Sequence, residues 1–133
     1  MAPPRVLIID DDKVLVTLMT SLLRKGGFQV FAAFDAASGF MIAQKQLPDL
    51  ILLDVQMPAG GGVGVWQRLS ASAHTQGIPV VYVTATHTPG FADEVAAQGA
   101  AGYIQKPLDP ETFVETVKSF FKRATGQMDA VQE

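Results

Sequence analysis

At 133 residues, 48% hydrophobic and 17% charged, the chain has the size of one domain around one core and is too short for two ordinary domains. The absence of cysteine excludes disulfide frameworks, thiol catalysis and thiolate metal sites, and a net charge of −3 with scattered Lys and Arg gives no footprint for nucleic acid. No apolar run approaches the roughly 18 residues of a bilayer span, and MAPPRVLIIDDD lacks the basic and apolar regions of a signal peptide, so a cytoplasmic location with no membrane contact is expected.

Residues 5–9, RVLII, are β-branched and apolar on both faces, the pattern of a strand buried on both sides. They run into three adjacent carboxylates, Asp10, Asp11 and Asp12. Asp12 precedes Lys13-Val14-Leu15 and suits the N-cap of a first helix better than a ligand role. In that helix Leu15, Leu18, Met19, Leu22 and Leu23 form a core-packing stripe, and Gly26-Gly27 ends it. FQVFA (28–32) is a weaker second strand; Asp35 caps a helix over 36–46, with Pro48 beyond its end. LILL (50–53) is a third strand, ending at Asp54. The glycine-rich AGGGVG (59–64) predicts a poorly ordered loop and first turn for a third helix over about 63–73, each glycine costing up to ~1 kcal/mol. VVYV (80–83) is a fourth strand with Thr84 after it, and Thr88-Pro89-Gly90 interrupts the lead into a helix over 90–98. AAGYI (100–104) is a fifth strand, followed by Lys106-Pro107. Asp109-Pro110-Glu111 reads as N-cap, proline at N1 and first-turn acid of a last helix. This helix should bury Phe113, Val117 and Phe120 and carry Lys118, Lys122 and Arg123 toward its negative dipole end. The domain is expected to span 1–124, with 125–133 a flexible tail. Trp66 reads as core or rim, and His74 and His87 as bystanders.

This (βα)₅ alternation implies an α/β fold, a parallel sheet wound on both faces through right-handed crossovers. In such a sheet the ligand site lies beyond the carboxyl ends of the strands, where the strand order reverses. Asp10, Asp11, Asp54, Thr84 and Lys106 all follow or end strands and so converge there. Two carboxylates about 4 Å apart repel by roughly 4 kcal/mol at an effective dielectric of 20, so three acids call for protons or a cation. With oxygen ligands alone the cation should be hard, and Mg²⁺ is held in this way, by one or two carboxylates, waters and a phosphate oxygen. Lys106 and Thr84 supply a positive charge and a hydroxyl donor suited to phosphoryl oxygens, and an aspartate in that setting can accept a phosphoryl group.

The motifs LIIDDD, PDLILLDVQMP, IPVVYVTA and GYIQKPLDP, in that order, resemble the receiver (CheY-like) domain of two-component response regulators over residues 5 to about 123. The resemblance implies a flavodoxin-like, doubly wound five-stranded parallel sheet with strand order 2-1-3-4-5. It implies that Asp54 is the phosphoacceptor, that Asp11 ligates Mg²⁺ (or Mn²⁺) directly, Asp10 largely through water and Gln56 through its backbone carbonyl. Lys106 and Thr84 would bind the phosphoryl group, Pro107 would follow a cis peptide, and Tyr103 matches the family's switch aromatic. Gln56 and Thr86 match positions that tune dephosphorylation. The implied partners are a sensor histidine kinase or phosphotransfer protein and a downstream protein target. The latter would be met on the face of the fourth helix, fifth strand and fifth helix, the chain acting as a monomer or phosphorylation-dependent dimer. Such a protein assists its own phosphorylation and dephosphorylation without being a turnover enzyme.

The rival reading is an enzyme. Asp10-Asp11-Asp12-Lys13-Val14 also resembles the nucleophile motif of haloacid-dehalogenase-like phosphatases, with Asp10 as nucleophile. Those enzymes need further acids on a strand after the lysine, whereas here only Asp109 follows, at a helix cap, and Asp54 is left unexplained. A flavodoxin-like nucleotide binder should present glycine or serine amides where this chain presents acids.

Overall fold

The computed structural model describes residues 2–57, 61–85 and 89–125, the side chains of 61–63 and 122–125 excepted. Five strands alternate with five helices: β1 (Arg5–Ile9), α1 (Lys13–Lys25), β2 (Gln29–Ala33), α2 (Ala36–Gln46), β3 (Leu50–Asp54), α3 (Gly61–Ala71), β4 (Val80–Thr84), α4 (Phe91–Gln98), β5 (Gly102–Gln105) and α5 (Phe113–Thr125). Every pairing is parallel and the order is 2-1-3-4-5, as expected. Winding therefore reverses between β1 and β3, and the carboxyl ends of those two central strands form the crevice of the fold.

Alternation along the buried strands divides the core in two. Val6, Ile8, Leu50, Leu52, Val81 and Val83 face Met19 and Leu23 of α1 and Phe113 and Val117 of α5. Leu7, Ile9, Ile51, Leu53, Val80 and Tyr82 face Ala43 of α2, Val65 and Leu69 of α3 and Val95 of α4. Each such aliphatic side chain taken from water contributes about 1.5–3 kcal/mol, and this is why β1, β3 and β4 have no polar face. Helix α2 comes close enough to the sheet that a Cβ on Gly39 would meet three Ile9 side-chain carbons at 2.7–2.9 Å.

Several boundaries differ from expectation for identifiable reasons. Phe28 precedes β2 because its N–H closes α1 by donating to Leu23 O at 3.0 Å. The Phe28 ring instead packs edge-on against Phe121. Ala100 likewise closes α4 through Val95 O, so β5 begins only at Gly102. The Asp109 carboxylate accepts from Glu111 N and its carbonyl from Thr112 and Phe113 N, which makes 110–112 a lead-in turn; regular α5 starts at Phe113. Helix α3 begins at Gly61 and takes Gly61, Gly62 and Gly64 into its first turns, because burial of Val65 and Leu69 outweighs their poor propensity. In α1 the buried stripe is Val16, Met19 and Leu23; Leu15 and Leu22 pack against its edge, while Leu18, expected inside, is 39% exposed. Trp66 is half-buried on the rim of the second cluster, and His74 is exposed. Thr125 completes α5, one residue into the expected tail. Residues 126–133, Ala59 and Gly60 of the glycine-rich loop, Thr86, His87 and Thr88 lie outside the described residues, as do the side chains of Lys122 and Arg123.

Candidate functional site

Strand β1 ends at Ile9 and delivers Asp10 to the crevice with its amide still paired to Ala33 O of β2 at 3.1 Å. Asp10 is 1% exposed. Its Oδ1 accepts from Asp12 N at 2.9 Å, while its fully buried Oδ2 makes no aligned hydrogen bond and instead lies 3.1 Å from the Lys106 ammonium. Asp54, the last residue of β3, is 4% exposed; its Oδ1 accepts from Gln56 N at 2.9 Å and its Oδ2 lies 3.7 Å from Lys106 Nζ. Asp11 is exposed at the rim. One oxygen from each of Asp10, Asp11 and Asp54 lies within 4.8 Å of the other two.

Burial is the main influence holding the Asp10 carboxyl above its ordinary 3.8, and the Asp54 charge adds to it. The Asp12 amide and the Lys106 ammonium pull the other way without cancelling it. Lys106 itself is placed by β5: its N–H donates to Thr84 O at 2.7 Å, and the Lys106–Pro107 peptide is cis. Thr84 ends β4 with no exposed surface. Tyr103, half-buried on β5, packs its ring edge-on against Phe91 at 5.2 Å, outside the acid cluster and on the side facing α4. Asp12 is the N-cap of α1, accepting from Leu15 N at 3.0 Å, and is not in the acid group.

The structure thus brings Asp10, Asp11, Asp54 and Lys106 into one cluster, joins Thr84 to it through the Lys106 amide, and sets Tyr103 against Phe91 of α4. Three acids against one ammonium, with a buried carboxylate oxygen lacking an aligned donor, fit a small hard cation. Two neighbours were not read as such from the sequence. Phe91 abuts the Tyr103 ring, and Leu18, expected in the core, joins Leu15, Lys106, Pro107 and Leu108 around a groove of about 600 Å³. An aromatic opening a helix after glycine was the available signal for Phe91; nothing local marks Leu18.

A parallel five-stranded sheet of this order, with acids at the ends of β1 and β3 and a lysine after β5, defines a receiver domain. The chain belongs to the response regulator receiver domain family, whose profile matches residues 6–118. Protein PilH of Pseudomonas aeruginosa is 35% identical over 115 residues, covering 86% of this chain and 95% of PilH. The polar-differentiation response regulator DivK of Brucella anthropi is 30% identical, with 89% and 96% covered. The DNA-binding dual master transcriptional regulator RpaA of Synechocystis is 36% identical over 90% of this chain, but the match takes in only 50% of RpaA. Among solved structures, the chemotaxis protein CheY4 of Vibrio cholerae aligns with a TM-score of 0.82 at 28% identity, over 90% of this chain and 99% of that one. The phosphatase alternative with Asp10 as nucleophile finds no support in these relationships. Among the described residues, no helix is long and apolar enough to cross a membrane.

Proposed function

We propose that the protein is a phosphorylation-dependent switch in which Asp54 is the phosphoacceptor. The observation that carries this reading is the convergence of three carboxylates and Lys106 at the β1/β3 crevice, with Asp54 buried at the end of β3. An Asp54 carboxylate oxygen attacks phosphorus as the bond to the donor's imidazole nitrogen or acyl oxygen breaks, and the leaving group keeps the electron pair. Asp10, Asp11, Asp54 and the Gln56 carbonyl would hold Mg²⁺, with Mn²⁺ able to replace it. Its contribution when bound is charge neutralisation of the phosphoryl oxygens and the acids. Lys106, 3.7 Å from Asp54 before reaction, needs only a small excursion to pair with a phosphoryl oxygen, and the Thr84 hydroxyl takes another.

Receiver domains of response regulators work with histidine kinases or phosphotransfer proteins, and the donor here is assigned to that class. Output passes through the face of α4, β5 and α5 to a protein target in the cytoplasm, with neither DNA contact by this chain nor turnover of a substrate. The test is phosphorylation by acetyl phosphate with Mg²⁺, followed by intact mass. Wild type should gain one phosphoryl group and Asp54→Asn none; undiminished labelling of the variant would refute the assignment.

A further inference from the structure

Two openings flank the acid cluster at the surface. One is the groove beside Lys106, whose ammonium is already engaged by Asp10 and Asp54. The other is a cleft of about 430 Å³ that begins at Asp11, the exposed acid of the cluster, and is bounded by the start of α2 and by Arg68 of α3. Buried Met57 and the exposed ring of Phe34 give it apolar walls, and its charged groups are Asp11, Asp35 and Arg68.

Both acids of this cleft have an outlet for their charge. The two Asp35 oxygens are taken by Ser38, one by its backbone N–H at 2.8 Å and the other by its hydroxyl at 3.2 Å. Asp11 belongs with Asp10 and Asp54 to the group that fits a cation. The Arg68 guanidinium lies 4.3 Å above the Phe40 ring of α2, and no salt bridge among the described residues engages it. Stacking on an aromatic face fixes the plane of a guanidinium and leaves its edge, with the paired N–H donors, open. That edge matches the two oxygens of a carboxylate, which it can bind bidentately.

We propose that this cleft is a carboxylate subsite beside the phosphoacceptor, in which Arg68 receives the carboxylate that departs from an acyl phosphate. This rests on the reading of Asp54 as the phosphoacceptor. When an Asp54 oxygen bonds to phosphorus, the bond from phosphorus to the acyl oxygen breaks and that oxygen keeps the electron pair. The leaving group is therefore an anion that needs no proton, and a guanidinium placed to meet it stabilises the charge as it develops. Phosphoramidate gains nothing from Arg68, because its nitrogen departs as neutral ammonia. Arg68 thereby biases the site toward small acyl phosphates relative to phosphoramidate.

Rates of Asp54 labelling by acetyl phosphate and by phosphoramidate, each with saturating Mg²⁺ and read by intact mass, test the subsite. Arg68→Gln should slow labelling by acetyl phosphate about five- to tenfold and by phosphoramidate less than about twofold, the second donor showing also that the variant is folded. Arg68→Lys, which keeps the charge and loses the fork, should recover part of the loss. Equal slowing with both donors, or an unchanged acetyl phosphate rate in Arg68→Gln, would overturn the subsite. Independently of labelling, sodium acetate added with Mg²⁺ should shift the Ala36 and Ala37 amides of wild type and not those of Arg68→Gln, with sodium chloride at the same ionic strength as reference. Acetate shifts that persist in Arg68→Gln, or that are absent from wild type, would also overturn it. Should neither donor label wild type at Asp54, the phosphoacceptor reading fails, while the acetate titration still decides the cleft.

Discussion

Lys106 places its ammonium 3.1 Å from Asp10 and 3.7 Å from Asp54, yet one positive charge stands against three carboxylates. Asp54, 4% exposed, faces two like charges and one opposite charge, and after burial its charge is among the influences that hold the Asp10 carboxyl above 3.8, so the metal-free cluster carries net repulsion. Removing that charge while keeping the shape should relieve the fold. Asp54→Asn is expected to stabilise the metal-free protein by about 1–3 kcal/mol at low salt. Millimolar Mg²⁺ should erase most of the difference, since only wild type keeps the full ligand set. Urea melts of both proteins with and without Mg²⁺ check this, and a variant less stable in both conditions would contradict a shared carboxylate site. Asp11, Asp54 and Lys106 were legible as residues because strand ends in a parallel sheet must converge. Asp12 was legible as a cap because capping needs only an acid one step before a helix.

At the scale of elements, caps and close approaches set the register of helices on the sheet. The Asp35 carboxylate caps α2 by accepting from Ser38 N at 2.8 Å and from the Ser38 hydroxyl at 3.2 Å. That backbone hydrogen bond, first among its causes, lowers the Asp35 pKa below the ordinary 3.8. A carboxyl with a depressed folded-state pKa contributes stability above its unfolded value and loses it as pH falls through the folded one. Wild type should therefore lose stability relative to Asp35→Asn as pH drops from 3.8 downward, with no relative change near neutrality; pH-dependent urea midpoints of the pair give the comparison. Gly39→Ala presents two opposed effects: helix propensity favours alanine by up to ~1 kcal/mol, while overpacking costs about 1–3 kcal/mol. All three close atoms belong to buried Ile9, which has no space to retreat, so net destabilisation of about 1 kcal/mol is expected in a denaturant melt. Neither this approach nor the true starts of β2 and α5 could be read from side-chain periodicity. The first depends on how near α2 lies to β1, and the others on backbone hydrogen bonds that carry a helix end into the next residues.

For the molecule as a whole the parallel sheet followed from strand alternation and its order from the family resemblance, whereas the Tyr82–Gln98 hydrogen bond joins residues sixteen positions apart whose meeting only the assembled fold shows. What remains is how far a phosphoryl group can move the whole domain. A shift from 1:99 to 99:1 needs about 5.5 kcal/mol of differential affinity, and one hydroxyl hydrogen bond supplies roughly 0.5–1.5 kcal/mol, or up to about 3 kcal/mol to a charged oxygen. On the proposed reading Thr84 alone would not complete the transition, and Lys106 would contribute by leaving Asp10 for the phosphoryl group. Thr84 is fully buried at the end of β4, its carbonyl holds the Lys106 amide, and Gln105, its register partner, lies two residues beyond Tyr103 on β5. On that reading the threonine would join the site to the α4 side, in addition to the charge that Lys106 supplies at the site. Thr84→Ala should still take up beryllofluoride with Mg²⁺, seen as a shift of the Gln56 amide. Its Tyr103 and Ala85 resonances should move only a fraction of the wild-type distance, corresponding to a roughly five- to tenfold smaller equilibrium constant for the active state. Thr84→Ser, which keeps the hydroxyl, should restore most of the movement. Full displacement of Tyr103 in Thr84→Ala would show that the charge at Asp54 drives the switch without the threonine.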